Sequence, residues 1–426
     1  MKHTIFFIII FSFLFISNNS FAQGEAAVPF LLLQPSPSLS AMGQTGTALP
    51  SEDPFAFIWN PAQLGHSSRN NNFSFIFYPS KLDWLPAFNL DLEVKSLAFN
   101  LGYNLKEIID FPLSVGFGYS NVELNFGEFL RTGETDPTPI GSFYSKDYYN
   151  AYSLGFGIDY YCQFNVGFTY KKITSILSDR PTSQEMGEGK AEPSVVDFGL
   201  LINVPISNLI DTDMQFNLDD GVKIKPDFNF SLGYSKSNIG DEVYYIDPEW
   251  ADPPPRLDRF GYGINAKLNL ITDDFQINAL DLSFTGEVDD ILIKSKHYST
   301  DSLTIYGWDY QSTFSDLKPF KNLFTATGDD NIVTHIGYRL ELFETISFMG
   351  GHFDGRGFDM RKTNGYELRT KGLFKLWALW AKDPITDFLR DHIDVRYYHT
   401  NFIADNFLES KMTGLAIYIH NFNSIF

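Results

Sequence analysis

The chain has 426 residues and a formal net charge of -20, with 52 acidic side chains against 32 basic ones. That balance excludes nucleic acid as a partner, because phosphate contacts need clustered Lys and Arg. Cys162 is the only cysteine, which excludes an intrachain disulfide, a dithiol redox pair and a multi-cysteine metal site.

Aromatics supply 16% of residues, Phe alone 42 of them, a usage that suits a lipid-facing wall with aromatic girdles. Mean hydropathy is nonetheless slightly negative, at -0.14. A bundle of membrane helices is not that polar, whereas a barrel with a wet interior is.

In chain order, residues 1–22 read as a secretory signal peptide. Lys2 and His3 form the charged start, Ile5 to Ile16 the apolar stretch, and Ser20-Phe21-Ala22 the cleavage site before Gln23. The apolar stretch falls short of the ~20 residues of a spanning helix, and no later stretch reaches that length unbroken. The reading is an exported chain, without a lipid-anchor cysteine after the signal and without a membrane helix. It is periplasmic, extracellular or an outer-membrane barrel.

Residues 23–71 form a lead-in and a candidate hatch. Phe30-Leu31-Leu32-Leu33, followed by Pro35 and Pro37, reads as an extended anchor. From Ser40 to Gly65, Pro50, Pro54 and Pro61 rule out a paired strand. Phe55, Phe57, Ile58 and Trp59 call for burial, and Gly43 and Gly46 permit positive φ or close approach. These features predict a plug packed inside something hollow; the alternative is a proline-stiffened lead-in to the first strand.

From Asn72 the hydrophobic period becomes two. Leu97, Phe99, Leu101, Tyr103 and Leu105 share one face, with Ser96, Ala98, Asn100, Gly102 and Asn104 on the other. Bulky apolar residues outward and small or polar ones inward is the transmembrane-barrel pattern. A soluble sandwich would invert it. The pattern recurs at Leu113–Ser120, Tyr152–Tyr160, Phe164–Tyr170, Phe228–Tyr234 and Phe260–Leu268. Strands are predicted at 72–78, 94–105, 113–126, 150–161, 163–176, 195–206, 226–237, 259–271, 276–286, 333–342, 346–353, 364–376, 392–402 and 412–422. The fold class expected is all-β, a 14-stranded antiparallel transmembrane barrel over residues 72–426. Long loops are expected at 127–149, 177–194, 238–258 and 287–332, with short turns at Tyr161–Cys162 and Glu344–Thr345. The acidic runs Asp211–Asp220, Asp241–Asp252 and Glu287–Asp290 read as solvated faces. Residues 372–384 read either as a short amphipathic helix, with Trp377 and Trp380 at the membrane interface, or as the end of a long strand.

Arg339, Glu341, Arg369, Lys371, Asp394 and Arg396 cluster in the last strands. A lipid-facing charge at midwall costs about 2–4 kcal/mol, so these are expected to point inward or sit at the rim, in pairs. No nucleophile elbow, His-Glu-x-x-His or P-loop is present, and no catalysis, cofactor or metal is expected. His335 and Glu341, on one strand, read as part of an interior polar network.

The pattern Gly43, Gly46, Ala48, Asp53, Asn60-Pro61-Ala62 resembles the N-terminal hatch of FadL- and PorV-type outer-membrane barrels. That resemblance implies a hatch folded inside a 14-stranded barrel. Phe426, a terminal aromatic after an alternating strand, is similar to the outer-membrane assembly signal. The segment 52–64 and the hairpin 338–351 look more like the PorV/PorQ branch. This branch implies handling or anchoring secreted proteins with type IX secretion machinery, in contact with outer-membrane lipid. The FadL branch implies uptake of fatty acids or other hydrophobic small molecules. A structural or adhesive surface protein is a third class.

Overall fold

The computed structural model describes residues 26–425, apart from 80–81, 84–91, 133–135, 137, 180–186, 212–213, 219–220, 273–275, 301–302, 317, 330, 357, 382 and 405–407. The signal peptide and Phe426 therefore lie outside the described residues.

Fourteen long strands pair antiparallel, each with its neighbour in sequence, and close on themselves. They are β1 Phe73–Phe77, β2 Glu93–Asn104, β3 Leu113–Thr132, β4 Pro139–Asp159, β5 Gln163–Ser178, β6 Ser194–Pro205, β7 Lys223–Gly240, β8 Leu257–Ile271, β9 Gln276–Ile291, β10 Ile332–Leu342, β11 Ile346–Gly355, β12 Phe358–Arg369, β13 Ile393–Ala404 and β14 Leu408–Ile419. Closure runs through β1, which pairs with β2 (Phe73 opposite Leu101) and with β14 (Phe73 opposite Ile419). No helix among the described residues is long and apolar enough to cross a membrane. The strands are, and their outward faces carry exposed Leu101, Phe117, Leu154, Phe168, Leu282 and Phe348. A closed barrel satisfies every backbone donor and acceptor between strands, as lipid requires.

The segment before β1 joins it at one rim, here the near end, where the residues after the last strand meet it: Asn421 and Phe422 donate to the carbonyls of Asn70 and Asn71 at 3.1 Å. The other rim, the far end, carries most of the longer connections. Two expectations change there. The stretch 127–149 is not a loop: β3 and β4 run on for 20 and 21 residues, and only 133–138 connect them. Spanning takes about 9–11 residues, so this hairpin projects beyond the membrane. Likewise 287–332 is not one loop. β9 continues to Ile291, and Ile293–Thr300 pairs with Leu303–Tyr310 as a separate hairpin. At the near end Cys162 lies in the β4–β5 turn, where the short turn Tyr161–Cys162 is expected.

At the near end β12 stops at Arg369, and two amphipathic helices follow, α1 Lys371–Ala378 and α2 Pro384–His392. Asp383 caps α2 by accepting from the N–H of Ile385 and Thr386, with Pro384 in the first turn.

Residues 26–72 run inside this wall from the far end to the near end. Ala27 donates to the Pro253 carbonyl in a far-end loop at 2.9 Å. Pro29–Leu32 is a 3-10 turn rather than an extended anchor, with Val28 in the left-handed region at φ 49°. Val28, Phe30 and Leu31 fill the far-end lumen, in one core with inward Val94, Val122, Tyr149, Ile173 and Phe402. Below it the segment forms single helical turns at Pro37–Ala41, Ala56–Trp59 and Gln63–Ser67 before joining β1.

Candidate functional site

The inner segment is seated on wall glycines. Gly414, Gly365, Gly351, Gly261, Gly199 and Gly167 each come within contact of it, against Pro37, Ala41, Met42, Ala48, Pro61 and Ala62 in turn. As the segment descends it passes strands in reverse order, from β14 round to β2, so the contact runs round the whole wall. At Gly167 an added Cβ would lie 2.7 Å from the Ala62 nitrogen, and at Gly199 2.9 Å from the Pro61 ring. The small inward residues of the period-two pattern are therefore the floor on which this segment lies.

The motif residues have separate tasks. Gly43, at φ 74°, donates to Thr363 Oγ1 at 2.8 Å, and a Cβ there would meet backbone of β11, 2.8 Å from the His352 carbonyl oxygen. Gly46, at φ 147°, opens a run of three N–H groups, those of Gly46, Thr47 and Ala48. These donate to the Glu287 carboxylate at 2.9–3.2 Å. Asp53 accepts from the hydroxyls of Ser36 at 2.7 Å and Ser38 at 2.6 Å and from the Phe55 N–H at 2.8 Å. Burial pushes its carboxyl up, while those donors pull it back. Asn60 donates to the carbonyls of Thr47 at 2.6 Å and Leu200 at 3.0 Å, and its Oδ1 accepts from the Ala62 N–H at 3.1 Å. Pro61 fixes the turn between them, and Ala62 is fully buried. Asn-Pro-Ala thus ties two levels of the inner segment to β6.

Arg369, Glu341, Asp394 and Arg396 come together at the near end. Arg369 meets Glu341 at 2.7 Å and Asp394 at 3.0 Å, and Arg396 meets Asp394 at 2.7 Å. Arg396 also reaches Glu52 of the inner segment at 3.0 Å and stacks over Tyr418 at 3.8 Å. Arg339 joins at its edge, pairing with Asp281 at 3.5 Å. Lys371 donates its backbone N–H to Asp394 at 3.2 Å. Glu52, Arg339, Glu341, Arg369, Lys371 and Arg396 line a chamber of about 210 Å³, which shares Pro50, His66, Lys267 and Arg339 with a neighbour of about 220 Å³. Burial and the Arg69 guanidinium hold His66 down to about 3, so it is neutral at physiological pH.

A second charged set surrounds the segment at mid-height. Lys171 pairs with Asp197 at 2.7 Å, and Arg259 stacks over Trp59 at 3.9 Å. His335 lies 2.8 Å from the Gly43 carbonyl and 3.3 Å from Asp289, which also meets Arg356. His335 and Glu341 share the inward face.

The reading of Glu287–Asp290 as a solvated loop is corrected: Glu287, Asp289 and Asp290 are buried in β9. Carrying the alternation Asp281, Ser283, Thr285 one step further finds Glu287 on the inner face. Glu367 was likewise overlooked beside Arg369, although it has the same parity; it lies 3.9 Å from Arg369 and 3.8 Å from Arg396. Glu52 carried no sequence signal, because its partner Arg396 is remote in the chain. Among the described residues no group of three His, Cys, Asp or Glu side chains is placed to hold a metal ion.

No protein-family model matches the chain, and no curated protein matches it. Solved structures give low-identity likenesses along nearly the whole length. The toluene transporter TodX of Pseudomonas putida is 12% identical over 91% of this chain and 98% of its own, with a TM-score of 0.38. The toluene transporter TbuX of Ralstonia pickettii is 10% identical over 90% and 97%, with a TM-score of 0.35. A Pseudomonas aeruginosa FadL homologue is 10% identical over 91% and 98%, with a TM-score of 0.37. These three fall on the FadL side of the resemblance and do not bear out the PorV/PorQ branch. With TM-scores of 0.35 to 0.38 they are weak overlaps, and the fold stands on the strand pairing.

Proposed function

We propose that this is a non-catalytic outer-membrane barrel closed by its own N-terminal segment, working through its surface rather than its lumen. It holds or anchors a secreted polypeptide, or a subunit of a secretion machine, at the far end, as the PorV/PorQ resemblance implies. One observation carries this reading: the inner segment lies against the wall all the way round, and its apolar start fills the far-end lumen. Passage would require dismantling the core. Outside it, loops of β5 to β9 enclose a cleft of about 870 Å³ between Lys190, Glu192, Tyr244, Arg256 and Tyr310, with Trp250 exposed nearby. A pull-down of the tagged protein from detergent-solubilised outer membranes, with mass spectrometry of proteins and lipids, tests it. Stoichiometric secreted proteins or machine subunits are expected; bound hydrocarbon or fatty acid without a protein would overturn it.

One observation favours uptake of hydrophobic compounds as the second reading. The inward residues Val94, Val122, Tyr149 and Ile173 are apolar, a lining that suits a hydrophobic solute once the inner segment as a whole withdraws. A disulfide lock separates the two readings. A Cβ at Gly261 would lie 3.1 Å from the Ala48 Cβ, so a shift of roughly half an ångström brings the pair to the spacing of a disulfide. In a Cys162→Ser background, oxidised Ala48→Cys/Gly261→Cys keeps protein capture under the first reading and loses toluene uptake under the second.

A further inference from the structure

The helical pair α1–α2 presents an apolar face that no described residue covers. On α1, Leu373 and Trp377 lie four residues apart and so share one side, and Trp380 follows in the turn after the helix; they are 52%, 48% and 84% exposed. On α2, Ile385 and Phe388 are exposed on one side. The opposite side of α1 is spent on the barrel rim. Gly372 packs under the β10–β11 turn, with its N–H donating to the Glu344 carbonyl at 3.0 Å, and Lys375 pairs with Glu344 at 2.8 Å. The pair is thereby fixed to the wall, directly below outward Tyr366 and Leu368 of β12, which are themselves exposed.

We propose that α1 and α2 form a foot immersed in the headgroup–acyl boundary of the phospholipid leaflet at the near end. The lipid assignment follows from position: the face lies at the rim next to outward Tyr366 and Leu368 of β12, part of the apolar outer wall. It also follows from residue type, since Trp rings favour that depth. A polar protein partner fits poorly, because the basic groups are already engaged. Lys375 pairs with Glu344, and Arg390 meets Asp387 at 2.8 Å and Asp391 at 2.7 Å. The contact is therefore apolar and insensitive to salt. It anchors one arc of the rim, below β10 to β13, and sets the depth of the barrel there.

The test uses the full mature chain in phosphatidylcholine liposomes with and without bromine on the acyl chains near the carbonyls. Trp59 sits in the lumen, Trp250 and Trp308 sit in far-end loops, and Trp84, outside the described residues, is replaced by Phe in every protein compared, the wild-type reference included. Tryptophan emission of the wild type is expected to be quenched by the brominated lipid. In W377F/W380F, which keeps the apolar face, the quenched fraction is expected to fall at least about twofold, unchanged by added salt. W377F and W380F singly serve as a check, with heat-modifiable gel mobility reporting folding. Equal lipid quenching in wild type and variants, or quenching of Trp377 and Trp380 by aqueous iodide instead, would overturn the proposal; iodide access would point to a protein-docking face.

Discussion

The far-end and near-end halves of the lumen are built from opposite materials around one continuous segment. At the far end, Val28, Phe30 and Leu31 close against inward-facing Val94, Val122, Tyr149 and Ile173. At the near end, Arg369, Arg396, Glu341, Asp394 and Glu52 hold one another around a polar chamber. The first half gains stability by removing apolar surface from water, the second by mutual compensation of charges that would be costly alone. A barrel interior is therefore not defined by polarity; it is defined by what it encloses.

The comparison is most severely disturbed where the two halves share a seat. Gly167→Val would place side-chain atoms on Ala62, and the inner segment cannot seat. The account expects loss of the heat-resistant folded form on gels, or a barrel with raised ion conductance. Arg369→Met leaves buried Glu341 and Asp394 short of a partner, at a cost of about 3–5 kcal/mol, read from the denaturation midpoint. Phe30→Ala is expected to cost about 3–5 kcal/mol as well, but by leaving a dry cavity. Toluene should restore part of the loss in Phe30→Ala and none in Arg369→Met, which distinguishes the two kinds of core. Glu287→Gln keeps the shape but weakens the bonds from Gly46, Thr47 and Ala48, at about 1–3 kcal/mol, visible as earlier proteolysis of residues 26–72. Gly141→Val sits in the same strand as Gly155 but has no atom within 4 Å, so no change in stability is expected.

The near half was more legible in the sequence than the far half, for a physical reason. Wherever bulky residues alternate with Gly, Ser or Asn, as in Ser96–Leu105, the two faces contrast and the strand declares itself. The cost of a charge in lipid then turns Arg339, Glu341, Arg369, Asp394 and Arg396 inward. At the far end of β2 to β5 the contrast inverts: Val94, Val122, Tyr149 and Ile173 face inward, while Lys95, Glu123, Lys146 and Lys172 lie on the outer face, so a rule of bulky residues outward and small ones inward does not find the lumen core with Phe30 and Leu31. Strand ends also misled where chemistry changed mid-strand. β9 was ended at Gly286 because the acidic residues after it look like a loop, yet the carboxylate of Glu287 is held by the glycine run it clamps. Of the two readings of 372–384, the amphipathic helix is the one formed: β12 ends at Arg369, short of the expected 376, and Leu373 and Trp377, at helical spacing, lie on α1. Asp53 finds its partners within the inner segment, but Gly43, Gly46 and Asn60 also reach Thr363, Glu287 and Leu200 on strands far away in sequence, and no local pattern encodes those.

The central claim is that the inner segment is a permanent closure. Planar-bilayer recording of Ala48→Cys/Gly261→Cys in the Cys162→Ser background, oxidised and then reduced, tests it most directly. The account predicts no discrete channel openings in either state, with identical traces. Openings or toluene flux in the reduced protein that vanish on oxidation would contradict it, and would make the segment a gate.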